Sequence, residues 1–359
     1  MVNIIITCFL LFSCRNTKVD NSDLILIPVD FDQKVTAFPL TDIAEDITAI
    51  ELEFSDESML NIEKIHQVLL HDNHIILSSS EDIFLYGIDG KFICTIGSRG
   101  QGPQEYNSVR NITIDEKNNI LYINSLSEII CYDLNENKCL KKSTLFRDKG
   151  IMICVMYFAN DELLVVGEKR EFKEIHKILD IYRLNDELQL MDSCRIRDIY
   201  YRKNRFHSSA RNSYFSNVDS RVSFYYPEYY HKDINISKKV LYDTLYRVEN
   251  GQLIPEMKLN IKNSNRWIAD EKFDIAHIYR SSRFIFIDYF NKKNSVYCYD
   301  LETGKTYNDL TFEPDKCNYY PVDNNPEFLF RLYTKINSDD FEEPNPTLYL
   351  IKLKKTERL

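Results

Sequence analysis

The sequence predicts an all-β fold: a six-bladed β-propeller of four-stranded antiparallel blades, closed by an N-terminal strand. Three observations carry this expectation. A tyrosine followed two places on by an apolar residue, then by an Asn-, Asp- or Gly-bearing turn, recurs at Tyr86, Tyr132, Tyr182, Tyr246 and Tyr299. The spacings are 46, 50, 64 and 53 residues, and a further 50 reaches Tyr349 in the last alternating segment. A repeat of this length holding about four strands is a propeller blade. The composition agrees, with 24 Tyr and 21 Phe for strands and only 9 Gly, which leaves most tight turns to Asn and Asp.

In chain order, residues 1–13 read as a signal segment, because Ile4 to Phe12 is an apolar run too short to span a bilayer. Residues 14–34 read as a polar tether, and residues 35–359 as the propeller. The alternation of Ile47 to Phe54 marks a strand outside the first repeat, which begins near Ile62. Each tyrosine copy is a hairpin, as in Tyr86-Gly-Ile-Asp-Gly-Lys and Tyr299-Asp-Leu-Glu-Thr-Gly-Lys. A further strand after an Asn/Asp turn precedes most copies, as at His71-Asp-Asn-His and Asp115-Glu-Lys-Asn-Asn. After Thr347 to Leu353 no residues remain for an outermost strand, so the 47–54 strand is expected to complete the last blade and close the circle. Two stretches exceed the repeat: Arg195 to Ser237, and the proline-bearing Asn308 to Asn345. Such insertions extend loops, where binding tends to reside.

Between the first two copies runs Ile96-Gly-Ser-Arg-Gly-Gln-Gly-Pro-Gln-Glu-Tyr106. This connector resembles the glycine-rich stretch of the six-bladed β-propeller lipoproteins of Bacteroidota, which are related in form to NHL-repeat propellers. Gln104 stands where that pattern has a further glycine. The resemblance implies an exported, lipid-anchored propeller and no settled activity. Leu11-Phe-Ser-Cys14 resembles a lipobox, which makes Cys14 the lipidated residue. The basic Arg15 to Lys18 stretch leans toward a periplasm-facing anchor in the cell envelope.

Chemistry is sparsely signalled. The net charge of -10 argues against nucleic acid as a partner. The glycine-rich connector lacks the Gly-Lys-Ser/Thr ending of a phosphate loop, so Gly97, Gly100, Gly102 and Pro103 are expected to shape a crossing that Glu105 and Tyr106 anchor. His71 and His74 lack a third metal ligand, and the nine cysteines form no Cys-x-x-Cys pair. Removing Cys8 and Cys14 leaves an odd number, so not all can pair, and the relation of Cys131 to Cys139 across their hairpin stays open. No cofactor is expected, and the protein leans away from being an enzyme. The alternative is a lactonase-like propeller hydrolase with a divalent cation in its channel, for which Asn111, Asp115 and Asn217 are the candidate donors.

The strongest functional signal is the first insertion. Arg195 to His207 is basic and aromatic within an acidic chain, and Phe224-Tyr-Tyr-Pro-Glu-Tyr-Tyr230 follows. Guanidinium forks pair with carboxylates or sulfates, and tyrosine faces stack on sugar rings. Arg202, Arg205, Tyr225 and Tyr226 are therefore the expected ligand-binding residues, with one of the two adjacent tyrosines expected in the core. The expected partner is a small molecule, an anionic glycan or peptide, or an envelope protein, bound by a module held to the membrane through its N-terminal lipid.

Overall fold

The computed structural model describes residues 24–33, 40–55, 57–58, 60–171, 176–200, 215–227, 242–249, 251–270, 272–308, 319–334 and 346–356. Alternating apolar residues separated by Asn/Asp turns form hairpins throughout. Asp72, Asn119, Asn160 and Asp219 take left-handed backbone angles at turns, as Gly90, Gly251 and Gly304 do elsewhere.

Two strands, β1 (Ile25–Val29) and β2 (Ala44–Glu51), precede the first blade. Blade 1 holds β3 (Gln67–His71), β4 (His74–Ser78), β5 (Ile83–Gly87) and β6 (Phe92–Thr95). Blade 2 holds β7 (Asn111–Asp115), β8 (Ile120–Ser125), β9 (Glu128–Asp133) and β10 (Lys138–Ser143). Blade 3 holds β11 (Ile151–Ala159), β12 (Glu162–Glu171), β13 (His176–Leu184) and β14 (Leu190–Tyr200). Blade 4 holds β15 (Phe215–Val218), β16 (Arg221–Phe224), β17 (Thr244–Glu249) and β18 (Gln252–Ile261). Blade 5 holds β19 (Phe273–Arg280), β20 (Phe284–Asn291), β21 (Lys293–Asp300) and β22 (Thr306–Asn308). Blade 6 holds β23 (Tyr320–Val322), β24 (Asn325–Tyr333) and β25 (Thr347–Leu353), with β2 as its outermost strand.

The expected architecture is therefore present. All six tyrosines of the repeat, Tyr86 to Tyr349, fall on the third strand of their blades. The closing strand is antiparallel to β25, with Ile47 opposite Ile351, and runs over 44–51 rather than 47–54. Past its end the chain leaves the sheet, although the Leu52 amide still donates to the Pro346 carbonyl at 2.9 Å.

One expectation is corrected. Residues 25–29, placed by sequence in a featureless tether, form β1, which pairs in parallel with β18 as a fifth strand of blade 4. The physical reason lies in Ile27, Val29 and Phe31, an every-other-residue file that is buried against Leu259, Ile261 and Trp267. Phe31 alone meets the rings of Trp267, Phe273, Tyr289 and Tyr297 at centroid distances of 4.6–5.7 Å.

Six apolar clusters fill the molecule, one in each seam between neighbouring blades. The innermost strands are also laced together by side-chain amides. Gln67 on β3 accepts from the Ile112 amide at 2.7 Å and donates to the Ile112 carbonyl at 3.3 Å. Asn111 does the same to Met156, at 2.6 and 3.1 Å, and Asn324 to Leu70, at 3.0 and 2.6 Å. These bonds replace the backbone pairing that innermost strands of adjacent blades cannot make.

Antiparallel order sorts the loops onto two faces. First-to-second and third-to-fourth strand turns lie on one, the hairpin face. Second-to-third loops and the crossings between blades lie on the other, the connector face. The five longest undescribed stretches between β3 and β25 (172–175, 201–214, 228–241, 309–318 and 335–345) all fall between the second and third strands of one blade or between consecutive blades. Among the described residues, Cys94, Cys131, Cys139, Cys154, Cys194 and Cys298 are free thiols, so Cys131 and Cys139 are not joined.

Candidate functional site

The Arg195 to Ser237 insertion passes out of the described residues after Tyr200 and again after Pro227, at the connector-face ends of blades 3 and 4. Strand alternation builds the rim of the seam between these blades. On β12, Leu164 and Val166 face the seam, and Glu168 and Arg170 continue the same file. On β13, Ile181 and Leu179 face it and Lys177 continues that file. The aliphatic seam therefore ends in a buried ion pair, with Lys177 Nζ 2.8 Å from Glu168 Oε2 and Arg170 Nε bonded to Glu168 Oε1.

From blade 4, Val222, Phe224 and Tyr226 form the facing file. Lys177 Nζ lies 5.8 Å from the centre of the Tyr226 ring. The Arg197 guanidinium lies 3.8 Å above the Tyr242 ring and donates to the Tyr226 carbonyl at 3.4 Å. On the other side of the same sheet, facing blade 2, Asp198 holds His176 Nε2 at 2.5 Å and Arg195 Nη1 at 2.8 Å. The rim between blades 3 and 4 thus sets Lys177 and Arg197 over the Tyr226 and Tyr242 rings, with Glu168 balancing Lys177 and Arg170. The Cys154 thiol beneath it is pushed up to about 12 by burial, with the neighbouring Glu168 adding to the shift, so it is no nucleophile at neutral pH.

Arg202 and Arg205 follow directly after β14 and lie outside the described residues, as does Cys14. Tyr225 and Tyr226 are 1% and 4% exposed. Being adjacent on one extended segment, they point to opposite sides, and here each side is a seam. Tyr226 packs between blades 3 and 4, and Tyr225 between blades 4 and 5, where its hydroxyl reaches the carbonyls of Tyr242 at 3.0 Å and Ile275 at 3.2 Å. Both therefore show seam packing rather than an open stacking face, where sequence expected one of them to face a ligand. Sequence reading missed Lys177 and Glu168, whereas Arg197 lies within the basic stretch it singled out. The available signal was a lysine at the seam-facing position of the apolar run His176-Lys-Ile-Leu-Asp-Ile-Tyr182.

Two of the three candidate donors for a channel cation are engaged elsewhere. Both polar atoms of the Asn111 side chain bind the Met156 backbone. The Asp115 carboxylate caps its own hairpin, accepting from the amides of Lys117 and Asn118 at 3.2 Å and from Asn118 Nδ2 at 2.7 Å. Asn217 sits on β15, and among the described residues no three His, Cys, Asp or Glu side chains converge as a metal site.

The glycine-rich connector closes on itself. Glu105 Oε2 accepts from the Gly102 amide at 2.7 Å, the Tyr106 amide donates to the Ser98 carbonyl at 3.1 Å, and the Tyr106 hydroxyl donates to the Ile96 carbonyl at 3.1 Å. Gly97 has φ of +64°, and a Cβ there would lie 2.7 Å from the Tyr132 ring. A Cβ on Gly100 would lie 1.9 Å from Glu105 Oε2. The Gly102 amide therefore serves the loop's own carboxylate, while those of Gly100 and Gly97 donate to the Tyr106 carbonyl and Asn137 Oδ1.

These features define a six-bladed β-propeller of four-stranded antiparallel blades. The chain belongs to the family described as a domain of unknown function, DUF4934, whose model matches residues 24–357 and so includes β1. No curated protein matches the sequence. Among solved structures, the chain is similar to a Bacteroides fragilis protein classed as exported. The identity is 16%, with 92% of this chain and 100% of that one covered and a TM-score of 0.64, a likeness of fold. It is also similar to the WD40 domain of Neurospora crassa Pan2, at 9% identity, 82% and 76% coverage and a TM-score of 0.43.

Proposed function

We propose that this protein is an exported, lipid-anchored propeller of the cell envelope that acts as a binding module. Its connector face takes an anionic glycan or peptide, or an envelope protein presenting such a group, at the rim of blades 3 and 4. The observation that carries the reading is the placement of Lys177, Arg170 and Arg197 at the rim of blades 3 and 4, next to the described ends of the Arg202- and Arg205-bearing insertion. A closed circle of blades supplies rigidity, and the loops supply recognition. The likeness to an exported B. fragilis protein supports the address, and the lipobox-like segment ending at Cys14 supports the anchor, with Arg15 to Lys18 favouring the periplasmic side.

The experiment is a binding titration of the purified protein with heparin and with poly-glutamate, each at two salt concentrations. At least one polyanion is expected to bind in a salt-sensitive manner, and the double substitution Arg202→Ala, Arg205→Ala to weaken it by tenfold or more. Unchanged affinity in the double variant would remove the insertion from the site. The anchor has its own test: Cys14→Ala is expected to move the protein from the membrane fraction to the soluble fraction of the envelope, and continued membrane association through a non-lipid contact would contradict it.

A further inference from the structure

The seam-facing file that begins with Lys177 on the connector face ends with Arg183 on the opposite, hairpin face, and a second site lies there. A cavity of about 450 Å³ opens between blades 3 and 4, within the size range of small-molecule sites. Its inner end is shut by the two first-to-second strand turns, where Asn160 Nδ2 donates to the Ser220 carbonyl at 3.0 Å. Its outer end is shut where Gly251 abuts the Asp192 carboxylate, which a Cβ on that glycine would approach to 3.0 Å. Leu164, Val222 and Val248 supply a short aliphatic floor.

The walls are ionic and mostly preset. Arg183 is locked, with Nε and Nη2 on the two oxygens of Glu162 at 2.8 and 2.5 Å and Nη1 on Asp192 at 2.7 Å. Arg247 Nε lies 2.8 Å from Glu249 Oε2. Arg221, at the mouth, is exposed and has no partner among the described residues. Among the described residues, this pairing leaves one unmatched guanidinium in the groove. The rim also carries the acidic side chains of Glu162, Glu249 and Asp219.

We infer that this groove binds a sugar acid, a monoanionic polyhydroxylated carboxylate of the uronate type, with Arg221 as the residue that takes the carboxylate. A single free guanidinium matches a single negative charge, and a bidentate fork fits a carboxylate. Three acidic side chains on the rim oppose a dianion such as a phosphate monoester. Glu162 and Glu249 keep lone pairs that can accept from ring hydroxyls, and the C–H face of a pyranose suits a floor of leucine and valine. This site is separate from the connector-face site and does not depend on it.

The test is a titration of the full-length protein with D-galacturonate, D-galactose, galactose 6-phosphate and N-acetylalanine, followed by ligand-observed NMR or calorimetry. Saturable galacturonate binding is expected, at least tenfold tighter than galactose or galactose 6-phosphate. Arg221→Ala is expected to weaken it at least tenfold. Arg221 is exposed, so an unaltered melting temperature should accompany the loss. The inference is overturned if galacturonate shows no saturable binding, if Arg221→Ala binds it as the parent does, or if galactose binds equally well. Tighter binding of N-acetylalanine would overturn the sugar-acid assignment in favour of a peptide carboxyl terminus.

Discussion

Two aspartates show how individual residues set the pH response. Asp323, in the turn after β23, accepts from the Val68 amide at 3.3 Å, and burial pushes its pKa up to about 7. Burial also pushes Asp288, on β20, up to about 7. An unfolded aspartate titrates near 4. Between about pH 4 and about pH 7 the folded protein therefore holds protons that the unfolded chain has released. The contribution of these groups to stability is highest below that window and declines as pH rises through about 7. Asp323→Asn keeps an acceptor for Val68 and cannot ionise. Its melting temperature should fall less between pH 5 and pH 8 than that of the parent, and equal falls would show that Asp323 is ionised throughout. Gly97→Ala tests a different residue-scale constraint. A left-handed φ and the nearby Tyr132 ring should together cost about 1–3 kcal/mol, read as a lower denaturation midpoint with an unchanged slope.

Among the elements, β1 is the one sequence reading lost. Its buried file, Ile27, Val29 and Phe31, does alternate, but Ile25 and Leu26 are exposed, and five residues of pattern inside a polar stretch do not stand out. Its partner β18 lies more than 200 residues away, and no local turn signals a parallel pairing. The antiparallel blades were legible for the opposite reason. Their strands are neighbours in sequence, joined by turns whose Asn, Asp and Gly residues announce them, and the tyrosine on each third strand gave the count. Of the candidate site, the basic and aromatic character of the insertion was visible, whereas Lys177 and Glu168 were not. Their role depends on which face of β12 and β13 meets blade 4, a fact of packing rather than of pattern. The structure makes β1 testable through Trp267, the single tryptophan of the chain. Phe31→Ala should cost about 3–5 kcal/mol, as large-to-small changes in a packed core do, and should shift Trp267 emission to the red. Unchanged emission would mean that β1 does not cover that indole in solution.

At the scale of the whole molecule, the circle has six apolar seams and two unlike faces. Blades 3 and 4 carry a candidate site at each end of their common seam, and the same file of side chains supplies Lys177 to one and Arg183 to the other. The aliphatic stretch between them, Leu179 and Ile181 against Val166 and Leu164, separates two charged ends that would otherwise share one buried field. Binding on one face is therefore expected to proceed independently of the other. Galacturonate affinity measured with and without saturating polyanion should agree within about twofold, and a larger change would reveal coupling through the seam.

The closing strand also imposes an order in time. β2 is among the first parts of the chain to be made, yet its partner β25 is among the last. Until the final blade emerges, the residues of β2 have no edge to join, and the circle stays open at the most distant pairing among the described strands. Such late, long-range pairing makes assembly slow and leaves an unsatisfied edge exposed while it lasts.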